Sequence, residues 1–367
     1  MSTKLSKNKK DSFFMNLALM HANKNLGSTN SNPSVGCVIV NKNKLLSAGS
    51  TSLNGRPHAE INAINFSKEN LKNSSLYVTL EPCSHYGLTA PCTREIIKKK
   101  IKKVFFSCLD PDSRSFNKSS ILLKKNNVIV NKKILNKHTK KFYKDYYTFK
   151  KKGLPFVTLK IALSKDYFTI NKKDKWITNN FSRGRVHILR SNHNCLLTSN
   201  KTIIDDNPDL SCRIKGLEKK SPALVILDKE LKISLSCNII KSAQKRNVII
   251  FFNKSSKSKL KILKKKKIKL IKFPLNKNGN FNLKDILKKI KILGYSRLFV
   301  ECGKHLASNF LNKKLINNLV VFKSNKNIGK KGKNNFKNNM NIYLKNTKPL
   351  HENVNLFGDT FLIYRIK

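Results

Sequence analysis

The sequence contains no run of about eighteen apolar residues, so no segment is predicted to span a membrane. Its first residues, Met1-Ser2-Thr3-Lys4, lack the apolar stretch of a signal peptide, which predicts a cytoplasmic protein. There is no internal repeat and no G-x-G-x-x-G motif, which excludes the usual Rossmann fingerprint for dinucleotides. In a reducing cytoplasm the 8 cysteines are expected to be thiols or metal ligands rather than disulfides.

Acidic residues are scarce: 20 Asp and Glu stand against 76 Lys and Arg, a formal net charge of +56. The basic residues are mostly lysines, spread along the whole chain beside many asparagines, isoleucines and phenylalanines. An AT-rich gene encodes this joint excess, so we expect no specific nucleic acid partner, only salt-dependent binding to polyanions. The alternative is a basic nucleic-acid-binding protein or a polynucleotide deaminase, which would need clustered arginines and aromatic residues.

The length of 367 residues predicts two domains, and the apolar fraction of 39% is sufficient for two cores. Residues 1–150 alternate helical segments with short apolar strands, such as 35–40 and 76–80, which predicts a sheet covered by helices. A Lys- and Tyr-rich segment, 131–152, ends at a Gly-Leu-Pro sequence and marks the boundary to the second domain, 151–367. The tyrosines among its lysines are expected to pack this segment down.

The second domain shows the same alternation, with strands predicted at 156–161, 194–198, 223–228, 247–252 and 297–301. A helix is predicted near 283–293. The lysine-rich run 257–272 alternates with leucine and isoleucine, which predicts one solvated helix or a pair of strands. The Lys/Asn-rich segment 330–339 is expected to form a surface loop.

Four residues of the first domain have the order typical of zinc-dependent nucleobase deaminases: His58, Glu60, Cys83 and Cys92. One imidazole and two thiolates hold zinc and leave a fourth position for water, whose pKa zinc lowers towards about 7. Glu60, two residues from His58, is expected to carry a proton from that water to the leaving amine. The structural alternative makes His58 a helix cap and the two cysteines ordinary core thiols.

Three segments of the first domain resemble the bifunctional deaminase/reductase family of riboflavin biosynthesis: 32–40 (NPSVGCVIV), 57–60 (PHAE) and 79–85 (TLEPCSH). The wide spacing between the two cysteines is also similar to this family. The resemblance implies an α/β fold, here a cytidine-deaminase-like α/β/α sandwich. It further implies hydrolytic deamination of 2,5-diamino-6-(5-phosphoribosylamino)pyrimidin-4-one, with Asn32 bordering the pyrimidine pocket. Thr51, Leu88 and the segment 117–119 depart from the family pattern, which bears on contacts to the substrate phosphate.

The second domain resembles the reductase half of the same family through Trp176-Ile177-Thr178 and residues 202–213. The resemblance implies a dihydrofolate-reductase-like α/β domain that uses NADPH to reduce the ribosyl group to a ribityl side chain. It implies that the substrate is bound by Arg190, Asp206, Leu210, Arg213 and Glu301. It implies that the cofactor is bound by Ala162, Trp176, Thr202, Gly303, Lys304, His305, Leu306 and Ala307. Since a guanidinium fork suits phosphate oxygens, the two arginines are expected to clamp the sugar phosphate.

The second domain departs from the family pattern more often than the first. Tyr167 stands at a position usually occupied by glycine, and Lys304 and His305 stand where proline and threonine are common. A bulky Tyr167 is expected to hinder a close backbone approach. One alternative is therefore a deaminase whose second domain has become a structural scaffold. The resemblance also implies a homodimer or a larger homo-oligomer.

Overall fold

The structure is a computed structural model, and it describes residues 7–345, 347–351 and 354–366. The polar start of the chain, residues 1–4, lies outside the described residues. The chain divides into two compact units, Met1–Leu154 and Pro155–Lys367, and the sequence places the boundary between residues 150 and 151. Among the described residues, every helix is too short or too polar to span a lipid bilayer.

The N-terminal unit is a five-stranded mixed sheet between helices, as the sequence predicts. The strands are β1 (Gly36–Asn41), β2 (Lys44–Ser50), β3 (Ser75–Leu80), β4 (Lys103–Cys108) and β5 (Ile129–Lys132), in the spatial order β2-β1-β3-β4-β5. β1 is antiparallel to β2 and β3, whereas β3, β4 and β5 are parallel to one another. The helices are α1 (Lys7–Lys24), α2 (Ala59–Phe66), α3 (Cys92–Lys98), α4 (Lys118–Lys125), α5 (Asn136–Phe142) and α6 (Lys144–Lys151).

β1 is apolar on both faces because each face packs into a separate hydrophobic cluster: Ile39 belongs to one and Val38 to the other. Two glycines permit close helix packing. A Cβ on Gly36 would lie 1.8 Å from the carbonyl oxygen of Ala18 in α1, and a Cβ on Gly49 would lie 2.4 Å from that of Ala59 in α2. The second approach sets the position of the first turn of α2, which carries Glu60.

The Lys- and Tyr-rich segment 131–152 is folded into the N-terminal unit, where it forms α5 and α6. The hydroxyl of Tyr143, which is 1% exposed, lies 2.5 Å from Thr79 Oγ1 and donates to the Ser34 carbonyl at 3.1 Å. Tyr146 donates to Asp110 at 3.0 Å, and Tyr147 to the carbonyl of Leu109 at 2.5 Å. The prediction that these tyrosines pack the segment down is confirmed.

The C-terminal unit contains eleven named strands and seven helices within the described residues. The strands are β6 (Phe156–Leu163), β7 (Phe168–Asn171), β8 (Cys195–Ser199), β9 (Ala223–Leu227), β10 (Val248–Phe252), β11 (Lys269–Lys272), β12 (Arg297–Glu301), β13 (Asn318–Lys323), β14 (Gly332–Asn335), β15 (Leu350–His351) and β16 (Thr360–Arg365). The helices are α7 (Asn180–Ser191), α8 (Asn200–Asp206), α9 (Asn238–Lys241), α10 (Lys257–Lys265), α11 (Leu283–Ile292), α12 (Lys304–Asn312) and α13 (Lys337–Leu344). Short 3₁₀ turns lie at Leu53–Gly55, Glu218–Lys220 and Gly329–Lys331.

Nine of these strands form one sheet in the order β11-β10-β9-β8-β12-β6-β13-β16-β15, and β7 pairs with β14 in a separate ribbon. The strands from β11 to β13 in this order are parallel, and β16 is antiparallel to β13 and β15. β8 and β12 are neighbours in this sheet. The strand that follows β8 in the chain, β9, lies on one side of the pair, and the strand that follows β12, β13, lies on the other side. Such a switch point opens a crevice at the carboxyl ends of the two strands.

Two predictions for the C-terminal unit are wrong. The lysine-rich run 257–272 is neither one helix nor a pair of strands, because it forms α10 and then β11. The segment 330–339 is not a surface loop, because it forms β14 and the start of α13. The side chain of Phe336 is fully buried, and β14 pairs with β7, so two tertiary contacts outweigh the polar composition of this segment. The strands β2, β7, β13, β15 and β16 were not predicted from the sequence.

Candidate active sites

The three side chains predicted to bind zinc meet in the N-terminal unit. His58 Nδ1 lies 3.6 Å from Cys83 Sγ and 3.3 Å from Cys92 Sγ, and the three ligand atoms lie within 4.8 Å of one another. Tetrahedral zinc with ordinary Zn–S and Zn–N bond lengths separates nitrogen from sulfur by about 3.6 Å. The donor set therefore fits zinc. His58 occupies the N-cap position of α2 but makes no side-chain cap hydrogen bond there, which disfavours the structural alternative.

The elements around the triad position its ligands and favour the thiolate form of Cys83, whereas the hydrogen bond with Cys83 and burial raise the pKa of the Cys92 thiol. Cys83 lies in the loop after β3, and Cys92 is the first residue of α3. The Cys92 amide donates to Cys83 Sγ at 3.2 Å, and the Thr93 amide donates to the Cys83 carbonyl at 3.2 Å. Hydrogen bonds from Cys92 and His58 lower the pKa of Cys83 to about 4. A thiolate at a helix N-terminus is a metal ligand that needs little further activation.

Glu60 lies in the first turn of α2 and is 3% exposed. Burial raises the pKa of its carboxyl to about 7, although the neighbouring His58 opposes this shift. A carboxyl whose pKa lies close to neutral pH is suited to accepting and returning a proton. The position and the chemistry of Glu60 thus agree with the predicted role.

Sequence reasoning missed Glu81, a buried carboxylate that organises the loop after β4. Its oxygens accept hydrogen bonds from the amides of Asp110 (3.2 Å) and Asn117 (3.0 Å) and from the hydroxyl of Ser119 (2.7 Å). The segment 117–119, which departs from the family pattern, therefore keeps a defined conformation. The signal available in the sequence was an acidic residue directly after an apolar strand and two positions before Cys83.

The remaining deaminase-side residues lie in loops, Asn32 and Thr51 before His58 and Leu88 between the two cysteines. Asn32 Nδ2 donates to the Gly55 carbonyl at 3.0 Å, which ties the predicted pocket residue to the segment before His58. Thr51 Oγ1 accepts a hydrogen bond from the Val35 amide at 3.0 Å, so this departure from the family pattern has a structural partner. Leu88 is 88% exposed.

The predicted reductase residues collect around the crevice between β8 and β12. Thr202 lies in α8, directly after β8, and Gly303 caps α12, directly after β12. Glu301 is the last residue of β12, and Ala162 lies near the end of β6, the neighbouring parallel strand. Four residues from three chain segments are thus brought to the carboxyl edge of one sheet, where ligands of open α/β sheets bind.

The structure pairs two of the predicted substrate residues with each other. Arg190 donates to Glu301 from Nε (2.6 Å) and Nη2 (3.1 Å), in a bidentate arrangement. Lys160, a partly buried residue of β6 that sequence reasoning missed, places Nζ 3.8 Å from Glu301. Although burial opposes ionisation, Arg190 and Lys160 lower the pKa of the Glu301 carboxyl. The three side chains form one largely buried charged cluster that joins α7 to the sheet.

The predicted substrate residues in and beside the loop after α8, residues 207–213, lie outside this charged cluster. Asp206, just before the loop, lies at the exposed end of α8, and partial loss of solvent around its carboxyl, together with the neighbouring charge of Asp205, raises its pKa. Arg213 is exposed, and its Nη1 lies 3.4 Å from Asp209 Oδ2. The Leu210 side chain is 4% exposed within the hydrophobic core, so only the backbone of Leu210 is available to a ligand.

The start of α12 fits a cofactor phosphate. Gly303 is the N-cap of α12, and a Cβ built on it would find no atom within 4 Å, so there is open space beside the helix start, where free amides attract phosphate. Lys304 Nζ donates to the Asn335 carbonyl at 2.7 Å, and His305 Nε2 lies 3.3 Å from Asn309 Nδ2. Leu306 and Ala307 continue the helix.

Trp176, another predicted cofactor residue, is 56% exposed, and the Arg183 guanidinium lies 4.6 Å from its ring centre.

Tyr167 occupies a conformation that explains why glycine is common at this position. Its φ is 69°, in the left-handed region, and its amide donates to the Ser164 carbonyl at 3.0 Å in a tight turn. The ring lies 4.0 Å from Lys323 Nζ, a cation–π contact. The tyrosine is therefore accommodated by a turn that favours glycine.

Two family models match the chain. Residues 155–354 match the model described as RibD C-terminal domain, and residues 8–108 match the cytidine and deoxycytidylate deaminase zinc-binding region. The riboflavin biosynthesis protein RibD of Aquifex aeolicus is 35% identical over 314 residues, which cover 85% of this chain and 86% of that protein. RibD of Buchnera aphidicola is 32% identical over 335 residues, which cover 87% of this chain and 88% of that protein.

Solved structures agree with the sequence relatives. Acinetobacter baumannii RibD superposes with a TM-score of 0.85 at 27% identity, covering 98% of this chain and 100% of that chain. A Thermotoga maritima deaminase and 5-amino-6-(5-phosphoribosylamino)uracil reductase superposes with a TM-score of 0.82 at 27% identity, covering 98% and 99%. On its motifs, its two matched domains and its relatives, the chain belongs to the RibD family of riboflavin biosynthesis proteins.

Proposed function

We propose that this chain catalyses two successive steps of riboflavin biosynthesis. The first is the hydrolytic deamination of 2,5-diamino-6-(5-phosphoribosylamino)pyrimidin-4-one, and the second is the NADPH-dependent reduction of the ribosyl group to a ribityl side chain. The observation that carries the proposal is the His58–Cys83–Cys92 triad beside the buried carboxyl of Glu60. The match of residues 155–354 to the RibD C-terminal domain supports the second step.

In the deaminase unit, His58, Cys83 and Cys92 would hold zinc, which supplies an activated water molecule when bound. Glu60 takes a proton from that water and delivers it to the departing amino group, which leaves as ammonia. Its burial keeps bulk water away from this transfer and holds its pKa near neutral pH. Asn32, fixed to the Gly55 carbonyl, borders the pyrimidine and orients it.

In the reductase unit, NADPH would supply a hydride to C1 of the ribose, while the bond from C1 to the ring oxygen breaks and that oxygen takes a proton. The first turn of α12, residues 303–307, binds cofactor phosphate, and Ala162, Trp176 and Thr202 complete the cofactor site. Arg190 and Lys160 keep Glu301 ionised at the edge of the sheet, where its carboxylate accepts hydrogen bonds from sugar hydroxyls. Arg213, Asp206 and the backbone of Leu210 contact the rest of the substrate. The chain's contribution is positioning, which a hydride transfer requires.

The decisive experiment is a mass-spectrometric end point. Purified protein is incubated with zinc, the diaminopyrimidinone ribose phosphate and NADPH, and the product is identified. A product that is both deaminated and reduced supports both steps. A deaminated product without reduction contradicts the second step and leaves the C-terminal unit as a scaffold. Binding of NADPH is measured separately through the fluorescence of Trp176, the one tryptophan of the sequence.

We further propose that the protein acts in the cytoplasm as a homo-oligomer without a specific nucleic acid partner. The support is the resemblance to the family, together with the dispersal of the lysines along the chain. Light scattering coupled to size-exclusion chromatography measures the oligomeric state at 0.3 M salt, where non-specific binding to polyanions is screened. A monomer under these conditions contradicts the proposal.

A further inference from the structure

The loop that carries predicted substrate residues of the C-terminal unit, residues 207–213, has an unfavourable backbone. Leu210 has a φ of 52°, in the left-handed region that residues with bulky side chains rarely adopt, whereas Asn207, with a φ of 40°, is an asparagine at the C-cap of α8, where this conformation is common. The loop contains no glycine that would relieve this cost. Contacts from neighbouring elements must therefore hold it in place.

Arg246, a partly buried residue just before β10, makes such contacts. Its Nη1 donates to the Leu210 carbonyl at 2.8 Å, and its Nη2 donates to the Asp209 carbonyl. The two nitrogens of one planar guanidinium thus bind two successive carbonyls across the strained residue. Because the ammonium of a lysine is a single point-like donor group, it cannot reproduce this forked geometry.

Helix α7 holds the next part of the loop. Arg190 Nη1 donates to the Ser211 carbonyl at 3.0 Å, and His187 Nδ1 lies 3.0 Å from the same carbonyl oxygen and 3.3 Å from the Arg213 amide. Arg190 also binds Glu301, so α7 connects the loop to the charged cluster on the sheet. Arg246 and α7 together fix the backbone immediately before Arg213.

The surroundings of the loop carry more positive than negative charge. Three carboxylates, Asp206, Asp209 and Glu301, stand against four cations, which are Lys160, Arg190, Arg213 and Arg246. Burial and the nearby Arg190 lower the pKa of Arg246 to about 10, so the two guanidinium groups repel each other. The excess positive charge attracts an anionic ligand, and the bound anion in turn reduces the repulsion between Arg190 and Arg246.

We propose that Arg246 is a positioning residue of the reductase site, which clamps the Asp209 and Leu210 carbonyls and thereby presents Arg213 to the phosphate of the substrate. The inference rests on the proposed function, since it takes the second substrate to be a sugar phosphate. It assigns a role to a side chain that binds only backbone carbonyls and contacts no reacting atom.

The test compares two lysine substitutions that keep the charge. Arg246→Lys loses the fork, and we expect the KM of the reductase for the deaminated ribose phosphate to rise at least tenfold while kcat changes less than threefold. Arg297→Lys is the matched control, because Arg297 is also partly buried and donates to a backbone carbonyl, that of Asn192, at 2.7 Å. We expect less than a twofold change in KM for this control. Equal KM values in the two variants overturn the proposal.

Two further measurements separate positioning from general stability. In Arg246→Ala, millimolar guanidinium ion is expected to lower the KM again, and a KM that does not respond contradicts the proposal. Hydrogen exchange of the amides of residues 207–213 is expected to accelerate at least tenfold in Arg246→Lys and to be unchanged in Arg297→Lys. Unchanged exchange in both variants overturns the clamp. If the parent protein reduces no substrate, the proposed function fails, whereas the exchange measurement still decides the role of Arg246.

Discussion

The two candidate sites hold their charged groups in different ways. In the N-terminal unit the side chains of His58, Cys83 and Cys92 converge on one point, where a metal ion can replace their mutual contacts. In the C-terminal unit Arg190 and Lys160 converge on a carboxylate, Glu301, which is part of the chain itself. The metal triad needs an added ion to complete it, whereas in the second cluster the carboxylate of Glu301 already neutralises part of the positive charge. We therefore expect metal removal to affect one unit and loss of a single side chain to affect the other.

The largest expected effect is on deamination. Replacing Glu60 with Gln removes the group that moves protons while keeping its size, so we expect deamination to fall at least 10³-fold, within the usual range for general acid–base catalysis. Zinc content, measured by atomic emission, should stay at the parent value because the three ligands are unchanged. Reduction of supplied aminouracil substrate should also be unchanged. A variant that retains full deaminase activity would refute the role of Glu60.

The next effect concerns the stability of the C-terminal unit. Glu301→Gln leaves the Arg190 guanidinium buried without its counter-charge, and we expect the free energy of unfolding to fall by about 3–5 kcal/mol. Urea unfolding followed by Trp176 fluorescence reports this unit alone, because the sequence has one tryptophan. The double variant that adds Arg190→Met should recover part of the loss. If Glu301→Gln unfolds like the parent, the pair contributes no stability.

A smaller effect depends on pH. His193 is 4% exposed, and burial, with a contribution from Arg297, lowers the pKa of its imidazole to about 3 from 6.5 in the unfolded chain. Because the unfolded state binds the extra proton, stability is complete above pH 6.5 and falls by about 1.4 kcal/mol per pH unit below it. Unfolding of the C-terminal unit should follow this slope between pH 6 and 4.

The control for this slope is His193→Gln, which has no titratable group at this position. Its free energy of unfolding should be lower than that of the parent at pH 7.5 but should change less with pH.

The N-terminal unit is expected to show a pH dependence of the opposite sign because of Asp110. Burial raises the pKa of its carboxyl to about 6, so its contribution to stability is present at acid pH and lost as the pH rises through 6. Parallel pH profiles for the two units would contradict this difference.

The smallest effect is expected at Tyr167. Glycine relieves the left-handed backbone, by about 1 kcal/mol, but loses the ring contact with Lys323 and increases the flexibility of the unfolded chain. These terms nearly cancel, so Tyr167→Gly should change the free energy of unfolding by less than about 1 kcal/mol and leave the reductase kcat within twofold. Tyr167→Val, β-branched at the same φ, should destabilise the unit more. A large gain in kcat for the glycine variant would mean that the tyrosine obstructs the site.

The metal triad could be predicted from the sequence because its residues occur in short motifs at the ends of helices and strands. The α/β class of both units followed from the buried strands, which read as continuous apolar runs. Lys160 could not be found in this way, since its role depends on the register that places β6 beside Glu301 of β12. The Leu210 side chain is buried in the core at a residue of positive φ, and composition reveals neither property.

Two other differences have a tertiary cause. The segment 330–339 folds because Phe336 finds a buried site and β14 finds a partner strand, and neither is visible in a Lys/Asn-rich sequence. Arg246 was missed because it lies before β10, far along the chain from the loop whose carbonyls it binds. In both cases a contact between distant segments outweighs the local pattern.

The hydrogen bonds of Tyr143 have a consequence for the order in which the protein is made. Its hydroxyl joins Thr79 and the Ser34 carbonyl, the latter 109 positions earlier in the chain. A ribosome therefore releases all three zinc ligands well before it releases the side chain that completes this part of the core. A nascent chain that has emerged as far as residue 92 but not as far as residue 143 already carries a full ligand set for zinc while this part of the core is incomplete.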